Sequence, residues 1–197
     1  MIQKIVSPLG IEAWLVEDYA VPVIAVDFAF KGGAAQDPAD RPGLAHIMSA
    51  LFDEGAGPYD DEAFQRLMEE NAVELSFHAA RDQINGSLRT LADRKAFAFD
   101  LLHYAVTEPR FEEAAVERVR QSLLASLRRE ASDPNAMASH AFFAGLFPDH
   151  PYGRPTRGTL ESIGAVNRDE IAAQHRRLLA KDGLTVSIVG AIDAHDA

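Results

Sequence analysis

Apolar and polar residues alternate along the first third of the chain, which is the pattern of strands with one buried face. Three segments show this alternation: IQKIVSP, IEAWLVE and PVIAVDFAFK. Pro8-Leu9-Gly10, between the first two, predicts a tight turn because proline and glycine suit the backbone angles of turns. The segment GGAAQDPADRPG has the composition of a loop. We therefore expect three strands followed by a loop.

The spacing of apolar residues changes to that of a helix at Gly43. One apolar face of this helix consists of Leu44, Ile47, Met48 and Leu51. The segment DEGAGPYD is expected to end it. A second helix is predicted from an N-cap at Asp60 or Asp61 as far as Asn71.

The segment VELSFHAARDQINGSLRTL alternates with a period of two and predicts a pair of strands. The turn between them lies either at Arg81-Asp82 or at Asn85-Gly86. We favour Arg81-Asp82 because it gives two strands of similar length.

Most of the chain from Asp93 to Lys181 has helical spacing. Helices are predicted over residues 93–107, 112–131, 135–147 and 167–181, with FPDHPYGRPTRGT as a loop between the last two. LTVSIVGAID then predicts a buried strand. The order βββ-αα-ββ-αααα-β indicates an α+β fold, with a mainly antiparallel sheet and helices packed on one face.

Length, charge and composition narrow the class of protein. The chain has 197 residues, 47% of them hydrophobic, which fits one globular domain. Its net charge of −11 argues against nucleic acid as a partner, because phosphate binding needs clustered Lys and Arg. The lack of cysteine excludes disulfides, thiolate-bound zinc and iron–sulfur clusters. No apolar run reaches the roughly 18 residues of a membrane span.

The helix that starts near Gly43 contains one histidine in a suggestive position. In the motif H-x-x-E-H, two histidines at i and i+4 bind zinc on one helix face, and the glutamate activates a water molecule. This chain has His46-Ile47-Met48-Ser49-Ala50 at that spacing. Serine is a poor base at neutral pH and alanine cannot bind a metal, so two of the three chemical groups are missing.

The chain resembles the pitrilysin/insulinase-like zinc metallopeptidases, which include the mitochondrial processing peptidases. Four segments carry the resemblance in the family's order: FAFKGGAAQDPADRPG, GLAHIMSALFDEGAG, HPYGRPTRGTLESIGAVNRDEIAAQHRRLL and LTVSIVGAID. It implies a LuxS/processing-peptidase-like metallohydrolase fold. It further implies that residues 1–197 form one N-terminal peptidase-family domain, with a second homologous domain expected outside them.

The same resemblance indicates where the family's third zinc ligand, a glutamate, would lie. When the run VRQSLLASLRREASDP is anchored on Asp133-Pro134, that position is Ser126 and the neighbouring acidic position is Ala125. Glu130 is one turn further on and faces about 40° away on an ideal helix. The family positions His46, Ser49, Ala50 and Ser126 are therefore interpreted as vestigial, with no catalytic residue and no bound zinc expected.

His46 is the only residue of a ligand type left at these positions, and two roles for it are open. It is either a leftover side chain, half-buried and hydrogen-bonded, or a ligand in a rebuilt metal site. For the second role His78, in the predicted sheet, is the candidate partner. Tyr152 and Arg154 are also candidates for ligand contacts, although a packed tyrosine at a loop corner is favoured.

We expect a non-catalytic subunit or domain of a zinc metallopeptidase assembly that contributes to a peptide-binding chamber. The alternatives are an active zinc metallopeptidase with replacement ligands and a purely structural subunit of a complex. The resemblance implies, besides peptide, a homologous zinc-bearing subunit, a C-terminal domain of the same protein, or both as partners. It also favours the bacterial periplasm or cell envelope, with the cytoplasm as the alternative.

Overall fold

The computed structural model describes residues 1–197. Its strands are β1 (Gln3–Val6), β2 (Glu12–Glu17), β3 (Val23–Lys31), β4 (Glu74–Ala79), β5 (Gln83–Leu91) and β6 (Leu184–Gly190). Its α-helices are α1 (Leu44–Ser49), α2 (Asp61–Glu70), α3 (Lys95–Thr107), α4 (Glu113–Glu130), α5 (Pro134–Leu146), α6 (Leu160–Ala165) and α7 (Arg168–Leu178). None of these helices combines the length and apolar composition needed to cross a bilayer.

The six strands form one sheet in the order β1-β2-β6-β3-β5-β4. Only the β2–β6 pair is parallel, and every other neighbouring pair is antiparallel. The predicted α+β fold with a mainly antiparallel sheet is therefore confirmed. β1 and β4 are the two edge strands, and each leaves one side of its backbone unpaired within the sheet.

Helices cover one face of this sheet, as the alternating pattern predicts. On β3, Ile24, Val26 and Phe28 point into the core, whereas Asp27 between them is exposed. The buried side chains join those of α1, α2 and α4 in one apolar cluster. The opposite face is open to solvent, where even Trp14 keeps 51% of its surface exposed. Side chains on the helical face of the sheet are therefore positioned by one continuous apolar core.

The hairpin between β4 and β5 turns at Arg81-Asp82, as predicted. The alternative turn at Asn85-Gly86 lies within β5 instead. Gly86 is needed there because a Cβ atom at this position would lie 2.2 Å from the Phe28 ring. The glycine thus marks a close side-chain approach inside a strand and does not mark a turn.

The helices follow the predicted bounds to within a few residues, with two corrections. α1 ends at Ser49, earlier than expected, because the N–H of Leu51 donates to the carbonyl of Met48 and tightens the last turn. α6 was not predicted, and its segment begins directly after the predicted loop. It is only six residues long and is started by a reciprocal capping box between Thr159 and Ser162.

Candidate functional site

The start of α1 is fixed by a buried carboxylate. Asp37 is 4% exposed and accepts hydrogen bonds from the backbone N–H groups of Gly43 and Ala45 and from the side-chain amide of Gln174, each at 2.9 Å. Burial raises the pKa of Asp37 to about 6, although the two backbone hydrogen bonds and the nearby Arg154 favour the charged form. The helix that contains His46 is therefore anchored at its first turn.

His46 is the third residue of α1 and is half-buried, as expected. Its Nε2 atom is buried without a hydrogen-bond partner, so the expectation of a hydrogen-bonded histidine is wrong for this atom. Burial and, to a smaller extent, the charge of Arg157 lower the pKa of His46 to about 4, while Glu130 opposes the shift. The imidazole is therefore neutral at pH 7.

The two motif positions after His46 offer no metal ligand. The Ser49 hydroxyl is buried and donates to the His46 carbonyl at 3.0 Å. The N–H of Ala50 also donates to the His46 carbonyl, at 3.2 Å, so residues 46 and 50 keep the one-turn spacing of the motif. Residues 46 and 50 thus have the spacing of the expected motif, but their neighbours do not supply its chemical groups.

The Arg157 side chain bridges Ser126, the expected position of the third ligand, and Glu130, one turn further along α4. Arg157 Nη2 donates to Ser126 Oγ at 2.9 Å, and Arg157 Nη1 donates to Glu130 Oε2 at 2.8 Å. His140 Nε2 lies 3.2 Å from the other oxygen of Glu130. The structure therefore brings Ser126 and Glu130 to the guanidinium whose charge acts on His46.

These residues do not fit the zinc ion that the family binds. Zinc sites are built from imidazole, carboxylate and thiolate ligands, with three from the protein in catalytic sites. Across residues 1–197 no group of three His, Cys, Asp or Glu side chains is arranged to hold a metal ion. The Ser126 hydroxyl accepts from Arg157, and both carboxylate oxygens of Glu130 already face cationic or imidazole nitrogens.

His78 is not brought to His46. Phe77, its neighbour on β4, points into the core and packs its ring against Phe52 at 5.0 Å. Since successive strand residues point to opposite faces, His78 lies on the open face of the sheet, where it is exposed beside Asp27. The interpretation of these two histidines as metal partners is therefore wrong.

Tyr152 and Arg154 make contacts within the fold. The Tyr152 ring packs edge-on against Phe147 at 5.5 Å, and its hydroxyl bonds to Asp82. Arg154 donates to the carbonyl of Asp37 at 2.7 Å and thus supports the anchor of α1. The favoured reading of a packed tyrosine at a loop corner agrees with these contacts.

The free edge of β4 lies beside this site. The Ala80 N–H donates to the Gln83 carbonyl across the turn, and bonded pairs alternate with non-bonded pairs along an antiparallel ladder. The N–H and C=O groups of Leu75, Phe77 and Ala79 therefore point away from β5. α1 packs against β4. An unpaired backbone edge thus borders the helix that contains His46.

α5 connects the vestigial site to the far end of β4. His140 contacts Glu130, and one turn further the Phe143 ring lies under the Arg81 guanidinium at 3.8 Å. No residue of α5 is buried. Its exposed apolar side chains include Met137, Phe142 and Leu146. α5 therefore has an exposed apolar surface, and its Phe143 contacts Arg81 in the turn that follows β4.

Asp37 and Arg157 were not singled out from the sequence. Each is one charged residue in a polar loop, without a repeated spacing that would distinguish it. The clustering of Asp37 with Gly43 gives a weak signal, because an acidic residue shortly before a helix often accepts hydrogen bonds from its first N–H groups. The role of Arg157 depends on a tertiary contact and has no local signature.

Comparisons with known proteins identify one family of relatives. A sequence profile described as Insulinase (Peptidase family M16) matches residues 15–160. The non-peptidase homolog YmxG of Helicobacter pylori is 25% identical over 174 residues, which cover 88% of this chain and 40% of that protein. An uncharacterized zinc protease of Mycobacterium leprae is 27% identical over 164 residues, which cover 83% of this chain and 37% of that protein.

Among solved structures, the peptidase M16 inactive domain from Pseudomonas fluorescens matches with a TM-score of 0.93 at 25% identity. The match covers 100% of this chain and 48% of that one, so the chain spans less than half the length of these relatives. Because the profile matches most of the chain and the fold agrees throughout, the chain belongs to the insulinase family of peptidases, family M16.

Proposed function

We propose that this chain is a non-catalytic domain of an M16 peptidase assembly, and that it holds an extended peptide near the zinc site of a homologous partner. One observation carries the proposal. A guanidinium bridges the vestigial third-ligand position and Glu130 beside the metal helix, while the backbone edge next to that helix remains free. The residues needed to bind zinc are missing, but the free edge of β4 could still bind an extended peptide.

The lack of catalysis follows from the donor set. Activation of water by zinc needs a bound metal ion and a nearby general base. Ser49 occupies the position of the base, and its hydroxyl is buried and donates to a backbone carbonyl. No carboxylate replaces it there, and His46 is the only imidazole at the three ligand positions. Peptide hydrolysis therefore depends on a zinc site outside residues 1–197.

Peptide binding is proposed at the β4 edge. An extended peptide can add to a free strand edge through backbone hydrogen bonds, which give affinity with little demand on sequence. The outward N–H and C=O groups of Leu75, Phe77 and Ala79 provide those bonds, and we expect the exposed apolar side chains of α5 to contact the bound peptide as well. Apolar peptide residues are therefore favoured at this position.

The proposal is tested by a substitution that removes one outward donor. Proline at Ala79 deletes an N–H that β5 does not use, so the hairpin is preserved. The full-length protein is co-expressed with a homologue that has an intact H-x-x-E-H motif, and peptide hydrolysis is measured with and without a chelator. Ala79→Pro is expected to raise KM about 2- to 10-fold, the effect of one hydrogen bond of about 0.5–1.5 kcal/mol.

Ala79→Ser is the matched control, because it changes the side chain but keeps the N–H, and its KM should equal that of the unchanged protein. Chelator-sensitive hydrolysis by this protein alone would support an active peptidase with replacement ligands instead. Hydrolysis by the partner that is the same with and without this protein would support a purely structural subunit.

A further inference from the structure

We propose that the Arg157 guanidinium takes the place of the family's metal ion, joining α1 to α4 and excluding zinc from the site. It shares with the proposed function the contacts of Arg157 with Ser126 and Glu130, but it does not depend on peptide binding. It rests on three features of Arg157: its two side-chain donors, the close packing of its backbone against α1, and its permanent positive charge.

The side chain of Arg157 binds two residues one helical turn apart. Ser126 and Glu130 are at i and i+4 on α4, so their oxygens lie on one face, and the planar guanidinium donates to both. The Glu130 side chain is 18% exposed and that of Arg157 is 40% exposed. The ion pair is therefore partly shielded from solvent.

The backbone at Arg157 is fixed against the start of α1. A Cβ atom on Gly43 would lie 2.7 Å from the Arg157 carbonyl oxygen and 2.6 Å from the Cα of Gly158. Ser162 Oγ donates to the Pro42 carbonyl at 2.7 Å. Arg157 thus contacts α1 through its backbone and α4 through its side chain, the two elements that a bound zinc ion would link in this family.

The guanidinium of Arg157 is a fixed positive charge in the site. A second cation beside it would be repelled and would compete with it for Glu130. The buried Nε2 of His46 has no hydrogen-bond partner, and Glu130, the carboxylate that acts on this imidazole, is already paired with Arg157. We expect Arg157 to oppose metal binding even when the missing ligands are restored.

The test restores the family's ligands in the full-length protein with Ser49→Glu, Ala50→His and Ser126→Glu, and compares Arg157 with Arg157→Gln in that background. Zinc affinity is measured with zinc alone, by competition with a chromogenic chelator. We expect at least about 100-fold tighter zinc binding when Arg157 is replaced. Equal zinc affinity in the two proteins would overturn the proposal.

A second measurement keeps the proposal testable if the rebuilt site does not fold. Thermal denaturation midpoints are compared for Arg157→Gln, Glu130→Gln and the double variant, with Arg66→Gln as a control because Arg66 and Glu70 form an exposed pair at 4.0 Å. Each single variant is expected to lower the midpoint, and the double variant to lower it no further than the larger single effect. Additive losses, or losses equal to that of Arg66→Gln, would contradict the structural role.

Discussion

At the scale of single residues, the buried Nε2 of His46 lowers the stability of the fold because it has no hydrogen-bond partner. An apolar side chain of similar size removes that unpaired atom, so His46→Leu is expected to stabilise the fold by about 1 kcal/mol at pH 7. The measurement is the free energy of unfolding by urea. A loss of stability in the variant would show that His46 makes a contact of net benefit.

The same substitution predicts a pH dependence. The pKa of His46 is about 4 in the folded protein and near 6.5 in the unfolded chain, so between these values the unfolded state binds more protons. Unchanged protein therefore loses stability as pH falls from 6.5 to 4, and the advantage of His46→Leu should widen by about 1–2 kcal/mol at pH 5. Met48→Leu, a neighbouring change without a titrating group, should show the same difference at both pH values.

The sequence identified which vestigial residues surround the site, but it could not identify their partners. His46, Ser49 and Ala50 are close in sequence, and their helical spacing places them together. Arg157 and Glu130 are 27 residues apart, and only the packing of the loop before α6 against α1 brings the guanidinium to α4. Periodicity describes one element at a time, so a contact between elements leaves no trace in it.

At the scale of elements, α1 is only six residues long and depends on its entry loop. Gly43 has φ of 88° and packs against the backbone at residues 157–158, so a Cβ atom would meet both strain and a clash. Gly43→Ala is expected to lower the free energy of unfolding by about 3 kcal/mol or more. Denaturant unfolding of the variant measures this loss directly.

Gly145 provides the matched control for that prediction. It lies in α5, and a Cβ atom there would meet nothing within 4 Å. Gly145→Ala should therefore raise the free energy of unfolding by about 0.5 kcal/mol through helix propensity. If both alanine variants had similar stability, the packing of the α1 entry loop would not be the determinant that the structure indicates.

Elements with a strong local signal were predicted, and those without one were not. The N-cap at Asp60 and the turn at Arg81-Asp82 follow from local chemistry and match the structure. α6 is shorter than two helical turns, so its apolar spacing cannot be distinguished from that of a loop. The length of α1 was overestimated because its apolar stripe continues to Leu51, after the helical hydrogen bonds have ended.

At the scale of the whole molecule, α5 is an apolar helix with no buried residue, which contacts Glu130 through His140 and Arg81, in the turn after β4, through Phe143. Folding of residues 1–197 gains little from its exposed side chains, so we expect their benefit to arise on peptide binding. Phe142 is 61% exposed, and Phe142→Glu should change the free energy of unfolding by less than about 0.5 kcal/mol. In the reconstituted pair it should raise the KM for an apolar peptide at least about 10-fold, because a charge replaces an apolar contact.

Trp14→Gln is the control for that prediction, because Trp14 is 51% exposed on the open face of the sheet, away from the helical face and α5. Loss of an exposed aromatic there should leave KM unchanged. This control separates a specific contact between α5 and the peptide from a general effect of surface hydrophobicity. If Phe142→Glu and Trp14→Gln raised KM equally, α5 would have no special part in peptide binding. If Phe142→Glu instead unfolded the chain, α5 would belong to the core of the isolated domain, and its exposed apolar face would need another explanation.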